Sequence, residues 1–152
     1  MSAIKTILTA GLVAGVLDAG DAVVVSLLRG GSAETMFQYI ASGVLGRASF
    51  KGGVATSILG LLLHFFIATS AATVFFLAAA RLRDLTRRPL LWGTLFGIAV
   101  YIFVNYLVVP LSAVPKGRRP PDLSLITNGV LASILLVGVP IAWITARKTN
   151  RP

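Results

Sequence analysis

The chain has 152 residues and a formal net charge of +9, from 14 Lys and Arg against 5 Asp and Glu. Only 12% of its residues are charged and 56% are hydrophobic, whereas soluble domains carry about 25% charged residues; an ordinary water-soluble domain is excluded. With no cysteine, disulfides, thiolate chemistry and Cys-ligated metals are excluded too.

The first apolar block covers residues 4–28 and closes on Arg29-Gly30-Gly31. About 20 apolar residues span the hydrocarbon core as a helix, so this is the first predicted span. Asp18 and Asp21 interrupt the place where a signal-peptide cleavage site would lie, which argues for a retained helix. Residues 33–45 are too short to span. Ser32 can cap a helix there, with Glu34 in its first turn. Met36, Ile40 and Val44, flanked by Phe37, Ala41 and Leu45, give an apolar stripe, so a short interfacial or re-entrant amphipathic helix is expected. Gly43, Gly46, Gly52 and Gly53 supply breaks around it.

The second span is expected over 53–80, closed by the basic stretch Arg81 to Arg88. Pro89 suits the first turn of the third, over 89–114. Val114-Pro115-Lys116-Gly117-Arg118-Arg119-Pro120-Pro121 reads as a stiff basic connector. Asp122 or Ser124 can cap the fourth span, over 122–146. Period-two alternation is absent. The reading is therefore an all-α integral membrane protein, a single domain over 1–152. It is a four-helix bundle with one short interfacial amphipathic helix.

Basic residues sit at the ends of these blocks, where they anchor spans to headgroups. The lipid bilayer is thus the expected partner, and nucleic acid is not. Both termini and the middle loop carry eight Lys and Arg, against six on the other side. That asymmetry places both termini in the cytoplasm.

Intramembrane ionisable groups are functional pointers. Asp18, Asp21 and His64 are such groups, and Asn105 and Asn128 join them by depth. At about 1.5 Å per residue, all five lie about 9–17 Å from the same side. Each central Asp costs roughly 2.5–3.5 kcal/mol to insert. The twelve Ile, Leu and Val residues of the first span return roughly 4–7 kcal/mol, so packing must hide the carboxyls. Small residues share faces with the polar ones: Gly11, Gly15, Asp18 and Ala22; Gly60, His64, Ala68 and Ala71; Gly93, Gly97, Tyr101 and Asn105; Gly129 and Ser133. Such stripes let helices approach closely, so the polar groups are expected to meet inside the bundle.

Catalytic signatures are lacking: no GxSxG, no phosphate-binding glycine loop, no Cys–His pair. A single His without a second His or an HxxE pattern gives no metal site, and no cofactor is implied. Two functions remain. One is a non-enzymatic scaffold or accessory subunit, in which the polar cluster fixes helix register. The other is an oligomeric proton- or ion-conducting protein using Asp18, Asp21 and His64. The partner is a second copy or another membrane protein.

The stretch Ile40-Ala41-Ser42-Gly43-Val44-Leu45-Gly46, with Gly52-Gly53, Leu59-Gly60-Leu61-Leu62-Leu63-His64-Phe65 and Asn105-Tyr106-Leu107-Val108-Val109-Pro110-Leu111-Ser112, resembles a group of uncharacterised bacterial inner-membrane proteins with four spans. The His-bearing second span and the Pro-ended third give a more distant similarity to the bacterial inner-membrane family linked to acid resistance. The present chain is shorter and lacks that family's additional residues. The resemblance implies a bacterial inner-membrane location and assigns no reaction.

Overall fold

A computed structural model describes residues 2–116 and 122–149. The stretch 117–121, within the expected basic connector, lies outside the described residues, as do 1 and 150–152. Among the described residues the chain is helical, without strands. Four helices are long and apolar enough to cross a membrane: Ala3–Leu28, Gly53–Arg81, Pro89–Leu111 and Leu123–Arg147. They are termed the first to fourth long helices below.

Local chemistry sets their ends. Ser2 caps the first long helix, accepting from the Lys5 N–H. Ser32 and Thr35 cap the helix Ala33–Leu45 reciprocally, which satisfies two donors that the helix itself cannot. Gly46 follows with a positive φ of 60°, the left-handed region that glycine enters without steric cost. A 3₁₀ turn over Gly46–Lys51 then leads into the second long helix. After it, the short helix Asp84–Arg87 turns the chain, and Pro89 opens the third long helix.

The third long helix ends at Leu111, three residues short of the expected 114. Ser112 is extended. Its hydroxyl donates to Val109 O at 2.8 Å, and the Ala113 N–H leaves the helix to donate to Gly43 O at 3.0 Å. The fourth starts at Leu123, capped by Asp122, whose carboxylate accepts from the Leu125 N–H at 2.9 Å. It runs helically to Thr149, beyond the expected 146.

Two wide π turns interrupt these last two helices, over Val104–Val108 and Ser133–Gly138. Each stops two residues before a proline, Pro110 and Pro140. A proline ring clashes with the carbonyl four residues back and removes one donor. Widening the preceding turn, so that Val109 N–H bonds Val104 O and Val139 N–H bonds Ile134 O, relieves the clash without opening the backbone to lipid.

The first long helix packs on the second and on the fourth, and the third packs on the fourth. Small residues make the crossings close. A Cβ at Gly97 would overlap the backbone of Ser133 and Ile134, and one at Gly138 would overlap Gly93 and Gly97. Gly11 meets Thr69, Gly15 meets the Phe65 ring, and Gly60 meets the Phe37 backbone. The core between these helices is made of Ala10, Ala14, Ala72, Phe75, Val137, Ile141 and Ala142. Phe75 and Phe96 meet edge to face at 5.1 Å. Large apolar side chains such as Leu12, Leu62, Leu95 and Leu135 point outward. Only small residues let two backbones approach, and outward apolar side chains cost nothing against lipid.

Candidate functional site

The Ala33–Leu45 helix faces inward differently from its apolar stripe. Its buried residues are Gln38, Ala41 and Ser42, while Tyr39, Val44 and Leu45 are exposed. The Gln38 amide donates to Glu34 Oε1 and Gly53 O, both at 3.2 Å. Ser49 Oγ donates to Gln38 O at 2.5 Å, and Thr56 Oγ1 donates to Ser49 O at 2.7 Å. An amide facing lipid would lack partners, so Gln38 turns inward beside Ala41 and Ser42, while Val44 and Leu45 of the expected stripe face out. Charge and stripe alone did not reveal this; a glutamine between apolar neighbours was the available signal.

The five predicted polar residues do not form one contact. Asn128 Nδ2 donates to Asp21 Oδ2 at 2.8 Å, joining the first and fourth long helices. Higher on that seam, Arg29 donates to both Asp122 oxygens, at 2.6 and 2.9 Å, and to Ser124 Oγ at 2.9 Å. Ser124 in turn donates to Asp122 at 2.8 Å. The Arg29 bonds, with the Leu125 N–H and Ser124, hold the Asp122 carboxyl down at about 2. Between these two ties lies a groove of about 290 Å³ lined by Val25, Leu28, Arg29, Ser124, Leu125 and Asn128.

His64 pairs elsewhere. Its Nε2 sits 2.9 Å from Gly15 O on the first long helix. A carbonyl only accepts, so Nε2 carries the proton and donates. The ring stands edge-on to Phe65. Asp18, one turn beyond Gly15, is half-buried. It lies within electrostatic reach of His64 and Asp21 but accepts no hydrogen bond among the described residues.

Asn105 stands apart. It is exposed, and its amide donates back to Tyr101 O at 3.0 Å. Steps of four residues drift about 40° each round a helix. The expected stripe from Gly93 to Asn105 therefore leaves the crossing only at its end: Gly93 and Gly97 stay in it, the Tyr101 ring lies against Gly129 of the fourth long helix, and Asn105 turns off. Ser133 and Gly129 of the expected stripes lie in that crossing, and Gly138, absent from those stripes, joins them.

Among the described residues no group of three His, Asp or Glu side chains is placed to hold a metal ion. The Thr145 hydroxyl, 1% exposed, makes no hydrogen bond among the described residues. Comparison with protein-family models, curated proteins and solved structures gives no match.

Proposed function

We propose that this chain is a multi-pass, non-enzymatic membrane scaffold or accessory subunit. Its long helices form an up-down bundle in a bilayer, and the Ala33–Leu45 helix lies in the interface. Gly60, where the Phe37 backbone rests, is seven residues into its helix, so about 10 Å from that end. This supports a helix lying across the outer half rather than crossing it. Resemblance favours a bacterial inner membrane, and the eight-to-six basic asymmetry favours cytoplasmic termini.

One observation carries the scaffold reading. Three of the five intramembrane polar groups, one on each of three helices, are engaged within the protein: Asn128 with Asp21, and His64 with Gly15 O. Interhelical hydrogen bonds of this kind fix register and rotation, as a scaffold needs. The test is the double variant Asp18→Asn with His64→Gln, in liposomes that trap a pH-sensitive dye. The scaffold reading expects lower thermal stability or partner capture, with proton flux equal to that of empty liposomes for variant and parent alike.

A second reading has its own support. The groove at the Arg29 end reaches Asn128, the partner of Asp21, and Asp18 takes no hydrogen bond among the described residues. A conducting oligomer would use these carboxylates. It would also give the exposed Asn105 a partner in a neighbouring copy, since an amide in hydrocarbon needs one. Flux in the parent that Asp18→Asn abolishes would establish this reading and remove the first.

A further inference from the structure

The opposite end of the molecule carries a separate feature. The loop helix Asp84–Arg87 packs against the last turns of the fourth long helix. Between them lies a groove of about 320 Å³ lined by Thr86, Arg87, Pro89, Trp143, Ala146 and Arg147. That volume is at the small end of ligand sites, which run about 300–1,000 Å³.

Charge there is one-sided. Arg81, Arg83, Arg87, Arg88 and Arg147 are all exposed. Asp84 is the acidic residue of the loop, and it is occupied: it accepts from Trp92 Nε1 at 2.8 Å and lies 4.0 Å from Arg88. Neither Arg87 nor Arg147 forms an ion pair among the described residues. The Arg147 guanidinium instead lies 4.9 Å from the centre of the Trp143 ring. Such stacking holds the planar fork in place while leaving its N–H donors free.

We infer that this groove binds the phosphodiester headgroup of an anionic phospholipid between Arg87 and Arg147. A phosphodiester offers oxygens that a guanidinium fork can bind in pairs. Basic pockets between helices at a membrane surface suit such headgroups. The floor made by Pro89, Ala146 and the Trp143 ring is apolar, which suits the glycerol and first methylenes of a lipid. A free phosphate gains nothing from it. The surplus of arginines around the groove favours a net anionic lipid over a zwitterionic one. The inference rests on the membrane-spanning reading above and is independent of whether the chain is a scaffold or a conductor.

The full chain in a neutral maltoside detergent, with phosphatidylglycerol or phosphatidylcholine added and native mass spectrometry as readout, tests it. One phosphatidylglycerol per chain is expected to be retained in preference to phosphatidylcholine. At about fivefold per arginine near a charged surface, the R87Q/R147Q variant is expected to lose about thirtyfold in affinity. The R81Q/R83Q variant, with the same loss of charge outside the groove, keeps the parent's lipid. Equal loss in both variants, or no preference between the lipids, overturns the site. Displacement by millimolar inorganic phosphate overturns the lipid assignment in favour of a free phosphate. The preference of the parent chain for one lipid remains a test if a variant fails to fold. Failure of the membrane reading itself has a different signature, a monodisperse chain without detergent.

Discussion

The Asn128–Asp21 contact offers the sharpest test of what the buried polar groups do. Asp21→Ala and Asn128→Ala, alone and together, form a double-mutant cycle across the seam between the first and fourth long helices. Hydrogen bonds between membrane helices average about 0.6 kcal/mol and reach about 1.7. The 2.8 Å contact is short, and a carboxylate acceptor strengthens it, so a coupling of about 1–1.7 kcal/mol is expected. Asn128→Ala alone should cost about 1–3 kcal/mol, because the carboxylate loses its donor as well. The Arg29–Asp122 tie lies eight residues further along the first helix, about 12 Å away. At that separation its removal should add to the Asn128 effect within about 0.5 kcal/mol. Reversible unfolding by SDS in mixed micelles measures all of these. A coupling below about 0.3 kcal/mol, within the scatter of independent sites, would refute the reasoning and take from the scaffold reading the observation it stands on.

Gly138→Ala should destabilise the fold by about 1–3 kcal/mol, as overpacking does. Its Cβ would come within 2.6 Å of Gly97 N, against an ordinary contact of 3.4 Å or more. Gly20→Ala, with nothing within 4 Å, should be neutral in the same assay, and equal effects would contradict the crossing. Thr145→Val removes a buried hydroxyl that makes no hydrogen bond among the described residues and nearly keeps its volume; thermal unfolding should show no loss, or a gain of up to about 1 kcal/mol. Gln38→Leu should free the Ala33–Leu45 helix from the second long helix, seen as faster amide exchange over 33–45 with the long helices unchanged. Asp122 has a folded pKa near 2, below its ordinary 3.8. Its tie to Arg29 should therefore contribute fully above pH 3.8 and fade as pH falls from there towards 2. The fade should be missing in Asp122→Asn when unfolding is followed against pH.

Much of the helical outline was legible in the chain. Blocks long enough to span, with every backbone bond closed inside the block, are set by composition and length. Ser32, Pro89 and Asp122 mark helix starts through chemistry within a few residues. What was not legible was partnership. The sequence put Asp18, Asp21, His64, Asn105 and Asn128 at one depth, and depth is a property of a single helix. Which of them touch depends on how each helix is rotated and where it crosses. Asn128 finds Asp21, His64 finds a backbone carbonyl, and Asn105 turns outward.

Those rotations follow from long-range packing. Gly93 and Gly97 lock against Gly138 and Ser133, the two ends of the wide turn before Pro140. Gln38 turns inward because Gly53 O and Thr56, distant in sequence, offer it partners. Arg29 meets Asp122 across 93 residues. Hydropathy along a chain sums over neighbours and so fixes which segments are oily helices. The pairing of faces is decided by contacts between segments, which exist only once the helices have packed.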